Sequence, residues 1–154
     1  MRQTTLVFVF NERNQILLAM KKRGFWEGKY NGAGGKVEKG ETIKWAAVRE
    51  LQEETNIKIP ENKLEARGVL HFFFDGKEDW NQDVSIFISK DYAGNFKETE
   101  EMKPEWFDID DIPFDAMWED DPYWLLRVIE WESVEFNFYF GKDGGLRKFT
   151  EIMG

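Results

Sequence analysis

The sequence has no cysteine, a single histidine and only four prolines in 154 residues. The absence of cysteine excludes a disulfide framework and any chemistry that needs a thiol. No apolar run is long enough for a signal peptide or a membrane-spanning helix, so we expect a cytoplasmic protein without a membrane partner. The length predicts one domain over 1–154.

Positive charge is also scarce. Lysine and arginine together number 21 against 30 acidic residues, and the formal net charge is −9. Proteins that bind nucleic acid duplexes are usually basic, so this balance argues against a duplex as partner. It does not exclude a small anionic substrate, because a metal ion and local lysines can reverse the field inside one cleft. The 14 Phe, 7 Trp and 4 Tyr suffice for a core and leave rings for a ligand pocket.

A glycine-rich turn over 34–41 leads into a predicted helix over 41–59. No glycine or proline interrupts the run before Pro60, and Thr42 can cap the helix near its N-terminus. Glycines in such a turn let the backbone approach a ligand closely.

The predicted helix carries three clustered acids, Glu50, Glu53 and Glu54. At about 100° per residue they share one face with apolar residues that should pack inward. Carboxylates that face a partly buried surface repel one another and lose hydration unless a cation joins them. Magnesium and manganese take oxygen ligands of this kind, so the pattern favours a metal site over a solvated acidic face. The apolar residues of this face are Ile43, Ala46, Ala47 and Ile57, and the opposite face carries Glu41, Lys44 and Gln52.

The rest of the chain predicts strands on both sides of this helix and a second helix near the C-terminus, which fits a mixed sheet between helices. In the strand over 64–75, alternation places Phe72 and Phe74 on one face and His71 and Phe73 on the other. We expect the single histidine to be structural. The remaining predicted elements are strands over 4–10, 16–20, 83–90, 104–108 and 136–140, and a helix over 123–131.

The acid-bearing segment resembles the motif of the Nudix hydrolases. That motif is Gly, five residues, Glu, seven residues, Arg-Glu, an aliphatic residue, any residue, Glu-Glu, any residue, Gly and an aliphatic residue. The segment departs from it at Asn56, which stands in place of glycine and is the next best residue for the left-handed conformation that ends a helix. The matching residues are Gly35, Glu41, Arg49, Glu50, Leu51, Glu53, Glu54 and Ile57.

The resemblance implies an α/β protein with the Nudix fold, an α/β/α sandwich with a mixed β-sheet, and an enzyme that needs magnesium, with manganese as the alternative. Arg49 is expected to orient the carboxylates by ion pairing. One of Glu53, Glu54 or Glu101 is expected to take a proton from the attacking water. The implied metal ligands are the Gly34 carbonyl and the side chains of Glu50, Glu53, Glu54 and Glu101.

Outside the motif the chain is similar to the MutT-like enzymes, and to their animal type in particular, which hydrolyse oxidised purine nucleoside triphosphates. The segment from Met117 to Asp121 carries much of this likeness, although Glu119 and Gln82 stand where that branch has Pro and Met. In that branch the positions of Trp118, Asp120, Asp121 and Asn31 hold the base. The implied substrate-binding residues are Thr5, Lys21, Phe25, Asn31, Gly34, Gly35, Lys36, Phe72, Phe74, Trp118, Asp120 and Asp121.

The implied reaction is hydrolysis of a nucleoside triphosphate to the monophosphate and pyrophosphate, in sanitation of the nucleotide pool. We expect 8-oxo-dGTP to be preferred over dGTP, and the same pocket could admit 2-hydroxy-dATP. Two alternatives stay open: hydrolysis of another nucleoside diphosphate derivative, and nucleotide binding without catalysis. The expected partner is a small nucleotide, with a monomeric state for the protein.

Overall fold

The computed structural model describes residues 1–24 and 27–153, and in them two β-sheets and two α-helices. The larger sheet has the strand order β1-β5-β4-β7-β8 and the smaller one β3-β2-β6. In chain order the elements are β1 (Arg2–Val9), β2 (Gln15–Lys21), β3 (Tyr30–Asn31), α1 (Ile43–Thr55), β4 (Glu65–Phe74), β5 (Gln82–Ser89), β6 (Met102–Asp108), α2 (Asp121–Ile129), β7 (Val134–Phe140) and β8 (Leu146–Glu151).

The larger sheet is mixed. Strand β1 runs parallel to β5 and β4 runs parallel to β7, whereas β4 and β5 are antiparallel, as are β7 and β8. The smaller sheet is antiparallel throughout its described strands. The predicted mixed sheet is therefore confirmed.

The two helices pack on opposite faces of the larger sheet. Along β1, Val7 packs with Leu51 of α1, whereas its neighbour Phe8 packs with Trp124 of α2. Successive residues of a strand point to opposite faces, so α1 and α2 enclose the sheet between them. This is the α/β/α sandwich that the sequence predicts.

Helix α1 is shorter than predicted. It begins at Ile43, where the backbone N–H of Trp45 donates to the side chain of the N-cap residue Thr42 over 3.1 Å. It ends at Thr55, because Asn56 adopts the left-handed conformation with φ of 67°. The helix therefore stops five residues before Pro60. The prediction that it runs to residue 59 was wrong, whereas the expectation that Asn56 closes the helix is confirmed.

The helical wheel was right for part of the inward face only. Ala46 and Ala47 are buried, as predicted, but Ile43, the first residue of the helix, is 38% exposed. Ile57 is buried, although it lies after the end of the helix. Strand β4 agrees with its prediction, since Phe72 and Phe74 are buried in the core on the α2 side.

Two strands have no counterpart in the predicted elements. Strand β3 has only two residues, and β8 is largely exposed along its length, so neither shows an alternating apolar pattern. Helix α2 begins two residues earlier than predicted and ends at Ile129. Neither α1 nor α2 has the length and apolar character that crossing a bilayer would require.

Candidate active site

A cavity of about 360 Å³ opens between the two sheets, beside the N-terminal end of α2. It brings together most of the residues that the sequence predicts for the site. Four predicted residues, Lys36, Arg49, Glu50 and Glu53, do not line it, and Phe25 lies outside the described residues. The predicted residues that line the cavity are Thr5, Lys21, Asn31, Gly34, Gly35, Glu54, Phe72, Phe74, Glu101, Trp118, Asp120 and Asp121.

The glycine turn lies directly against β1. The backbone N–H of Thr5 donates to the Gly35 carbonyl over 2.9 Å, and that of Val7 donates to the Ala33 carbonyl over 2.7 Å. A Cβ atom at Gly34 would lie 1.7 Å from the Thr5 carbonyl oxygen, and one at Gly35 would lie 2.5 Å from the carboxyl carbon of Glu50. A side chain at Gly34 would therefore collide with the backbone of β1, whereas a side chain at Gly35 would displace the Glu50 carboxylate.

Glu54 connects α1 to this turn. The backbone N–H of Gly34 donates to its Oε1 over 2.7 Å. Burial raises the pKa of Glu54 to about 8, although the hydrogen bond from Gly34 opposes that shift. The carboxyl group is thus held at the edge of the cavity in an environment that disfavours its charge.

Arg49 lies outside the cavity and orients the neighbouring acids. Its guanidinium group donates to Glu41 over 2.6 Å, to Glu50 over 2.8 Å and to Glu53 over 3.3 Å. It also donates to the Lys36 carbonyl over 3.1 Å, which fixes the turn to the helix. The ion pairing expected for Arg49 is present. The prediction that Glu41 faces away from the acids was wrong. Glu41 precedes the helix, so helical periodicity does not determine where its side chain points.

The acids of α1 suit a hard divalent cation by their chemistry. Helix α1 carries the carboxylates of Glu50, Glu53 and Glu54. Burial raises the pKa of Glu50, although the hydrogen bond from Arg49 opposes that shift. A divalent cation would offset this unfavourable burial of charge. Among residues 1–24 and 27–153, however, no three acidic or histidine side chains surround one point. Glu50 and Glu53 instead face Arg49.

An aromatic wall forms the other half of the cavity. The ring centroid of Trp118 lies 6.4 Å from that of Phe72, 6.5 Å from that of Phe74 and 6.0 Å from that of Phe140. Strand β4 supplies Phe72 and Phe74 from the face that looks towards α2. The wall combines apolar burial with ring faces that can stack on a planar ligand.

Two adjacent carboxyl groups are buried in this aromatic half. Asp120 is 1% exposed and Asp121 is 2% exposed. The indole N–H of Trp124 donates to Oδ2 of Asp120 over 2.8 Å, and the backbone N–H of Trp118 donates to Oδ2 of Asp121 over 3.1 Å. Asp120 occupies the N-cap of α2 but makes no capping hydrogen bond with its side chain. An ordinary helix cap therefore does not account for Asp120.

Burial raises the pKa of Asp120 to about 7, although the hydrogen bond from Trp124 opposes it. Burial and the neighbouring charge of Asp120 raise the pKa of Asp121 well above its ordinary range. Oδ1 of Asp120 is buried and has no hydrogen-bond partner among the described residues. A buried polar atom without a partner is rare, and here it belongs to a residue that lines the cavity.

Sequence reasoning missed several residues that line the cavity. Alternation could have found some of them, since Ala19 lies two residues before Lys21 and Lys29 two residues before Asn31. Gln82, whose position in the family lies at the rim of the pocket, lines the cavity as expected and accepts a hydrogen bond from the Thr4 hydroxyl over 2.9 Å. The missed residues are Thr4, Leu6, Ala19, Lys29, Gly32, Val84, Met102 and Trp124.

His71 lies away from the cavity, on the face of β4 opposite to Phe72. Its Nδ1 is 2.6 Å from Oδ1 of Asp83, and its Nε2 is 2.7 Å from Oε2 of Glu135. The imidazole thus joins three strands of the larger sheet.

The α/β/α sandwich, the glycine turn against an acid-bearing helix and the adjoining cavity together define a class of nucleotide-processing hydrolase. The NUDIX domain family model matches residues 1–128, and the chain belongs to the Nudix family. A crystal structure of a mutator MutT protein from Bacillus halodurans superposes with a TM-score of 0.85 at 26% identity, covering 98% of this chain and 97% of that one.

Curated relatives include two animal proteins. The chain is 49% identical over 140 residues to the oxidized purine nucleoside triphosphate hydrolase of Danio rerio. The aligned residues cover 91% of this chain and 86% of that protein. It is 42% identical over 139 residues to the protein of the same name from Mus musculus, covering 90% of this chain and 86% of the relative.

Proposed function

We propose that the protein hydrolyses oxidised purine nucleoside triphosphates, 8-oxo-dGTP above all, to the monophosphate and pyrophosphate. The observation that carries this proposal is the Asp120 carboxyl group, buried in an aromatic cavity with Oδ1 unpaired. The names of the two animal relatives support the same substrate class. Removal of such nucleotides would sanitise the nucleotide pool.

The aromatic half of the cavity suits an oxidised purine. Oxidation at C8 converts N7 from an acceptor into an N–H donor. A charged carboxylate can accept from that N–H, and a neutral carboxyl group can donate to a carbonyl oxygen. Two adjacent buried acids favour one neutral and one charged partner, because two charges would repel. Asp120 and Asp121 can therefore read a donor and an acceptor together, while Trp118 stacks on the ring.

The triphosphate would extend towards the glycine turn and α1. Glu50, Glu53, Glu54, Glu101 and the Gly34 carbonyl would hold magnesium. The metal, when bound, neutralises the charge that develops on the phosphate oxygens as the bond between the α- and β-phosphates breaks.

Arg49 keeps the carboxylates of Glu50 and Glu53 in place through its ion pairs. Among the three candidates for the proton acceptor, Glu54 and Glu101 line the cavity and Glu53 does not. Oε1 of Glu54 is fixed by Gly34, whereas the Glu101 side chain is 69% exposed beside Arg23. Glu54 is therefore the group we assign to take the proton from the attacking water.

The proposal is tested with purified protein in magnesium buffer and a panel of 8-oxo-dGTP, 2-hydroxy-dATP, dGTP, dATP and ADP-ribose. Pyrophosphate and nucleotide products are measured separately for each compound. We expect the highest kcat/KM with 8-oxo-dGTP and release of pyrophosphate. Preference for ADP-ribose would assign the chain to another Nudix reaction, and nucleotide binding without any product would assign a binding module.

A further inference from the structure

Lys29 is a cation in the cavity wall that neither the motif nor its surroundings explain. It stands just before β3, where the backbone N–H of Lys21 donates to the Lys29 carbonyl over 3.1 Å and that of Gly28 donates to the Lys21 carbonyl over 2.8 Å. These bonds place the two lysines opposite each other on a fixed backbone. Tyr30, the next residue, points away and its hydroxyl donates to Glu105 over 3.3 Å.

The neighbouring basic residues already have acidic partners. Lys22 forms an ion pair with Glu98, and Arg23 pairs with Glu100 and Glu101 at 3.6 and 3.5 Å. In the described part of the chain, Lys21 and Lys29 form no ion pair within 4.0 Å, although acids exceed bases by nine overall. Burial raises the pKa of Glu54 and the charge of Lys21 opposes that shift, so the ammonium group of Lys29 is the one available to a further anion.

The position of Lys29 indicates which anion it meets. Lys29 and Lys21 line the cavity together with Gly34 and Glu54, where the acids are expected to meet the phosphates. Asn31, two residues further along the same strand direction, lines the cavity as well. A strand advances about 6.6 Å over two residues, so a ligand beside Asn31 can extend as far as Lys29.

We propose that Lys29 is a binding residue for the polyphosphate chain of the substrate, acting beside Lys21. This inference rests on the proposed function for the identity of the nucleotide, but not for the anion itself. A nucleoside triphosphate carries several negative charges, and an ammonium group binds phosphate as a point charge. Lys29 holds the chain and takes no part in proton transfer.

The test uses Lys29→Gln, with Lys29→Arg as the variant that keeps the charge. Lys63→Gln is the matched control. Lys63 is exposed on the surface, and its substitution removes the same charge at a position that does not line the cavity. Two quantities are measured in magnesium buffer: the affinity for inorganic tripolyphosphate by calorimetry, and kcat and KM for 8-oxo-dGTP.

We expect Lys29→Gln to weaken tripolyphosphate binding and to raise KM, each about tenfold, the scale of one charge-assisted contact. The value of kcat should stay within about threefold, Lys29→Arg should keep most of the affinity, and Lys63→Gln should match the wild type. Added salt should reduce the difference between wild type and Lys29→Gln.

Equal tripolyphosphate affinity in wild type and Lys29→Gln overturns the inference, as does a fall in kcat with KM unchanged. A wild type that hydrolyses no oxidised purine nucleotide, yet binds tripolyphosphate in a Lys29-dependent way, overturns the proposed function alone. The two failures are therefore distinguishable.

Discussion

The indole N–H of Trp124 donates to Oδ2 of Asp120 over 2.8 Å, so a residue of α2 fixes the carboxyl group at the start of the same helix. This hydrogen bond occupies one oxygen of Asp120, and the other oxygen is buried without a partner among the described residues, in a residue that lines the cavity. Trp124 is itself 1% exposed, so this hydrogen bond is buried. A ligand that supplies the missing donor removes the free-energy penalty of that buried atom.

Asp120→Asn and Asp121→Asn should reduce discrimination between 8-oxo-dGTP and dGTP. An amide can no longer exchange a proton with its neighbour, so the pair loses the combination of one neutral and one charged group. A buried polar mismatch costs about 1–3 kcal/mol, which corresponds to a change of about tenfold or more in the ratio of kcat/KM values. The ratio is measured for the wild type and both variants. Equal kcat/KM for the two nucleotides in the wild type would reject the sanitising role.

Trp118→Ala should raise KM for purine triphosphates by about tenfold, because stacking of a base on an aromatic ring is worth about 1–3 kcal/mol. The matched control is Trp45→Ala, since Trp45 is 51% exposed on α1. Thermal unfolding is followed for both variants by circular dichroism. A variant at Trp118 that unfolds at room temperature, with no selective loss of nucleotide affinity, would show that the ring serves the core alone.

Glu54→Gln should lower kcat at least about a hundredfold, the scale of losing a catalytic acid–base group. The fold should survive, because glutamine can still accept the hydrogen bond from Gly34 and no longer buries a charge. Glu12→Gln, which removes an exposed carboxylate, is the control. Turnover is measured in magnesium, manganese and excess chelator, and chelation should abolish it in the wild type. Near wild-type turnover of Glu54→Gln would contradict the assignment of the acid cluster.

His71→Gln should change how stability depends on pH. Burial alone would lower the pKa of His71, but hydrogen bonds with Glu135 and Asp83 outweigh it and raise the pKa above the usual 6.5. A raised pKa in the folded state adds stability below pH 6.5, and that stability is lost as the pH rises through the folded-state pKa. The stability advantage of wild type over variant should therefore shrink between pH 6 and pH 9, by about 1 kcal/mol or less for a partly exposed pair.

Urea unfolding of both proteins across that range measures the difference directly. Comparison with the variant cancels the titration of the other groups, including Asp120. An advantage that stays constant with pH would show that the imidazole is held without its charge.

The parts of the site that lie close together in sequence could be predicted, because local spacing determines them. The turn at 34–41 and the acids of α1 follow from glycine chemistry and helical periodicity, and their mutual contact through Gly34 and Glu54 is present. The wheel misplaced Glu41 because that residue precedes the helix and reaches Arg49 across the turn. Periodicity describes regular structure and says nothing about a side chain that bends back from a loop.

The aromatic half depends on contacts that no local pattern encodes. Gln82 reaches the cavity because β5 pairs with β4 and with β1, which carries Thr4. These strand pairings depend on the whole sheet and not on the local sequence. The resemblance to a known family supplied Trp118, Asp120 and Asp121, but the hydrogen bond between Trp124 and Asp120 emerged only from the fold. Lys29 escaped notice because it lies between the predicted elements, and the two-residue strand β3 that follows it leaves no alternating pattern in the sequence.

The two halves of the cavity come from different parts of the chain. The turn at 34–41 and helix α1 supply the glycines that pack against β1 and the carboxylates, whereas β4 and the residues that lead into α2 supply the rings and the buried aspartates. Under the proposed function, substitutions in the second group would change the wall that is expected to meet the base, whereas Gly34 and Glu54 belong to the first group. In evolutionary terms, the preference for a base could change while the glycine turn and the acids of α1 stay the same.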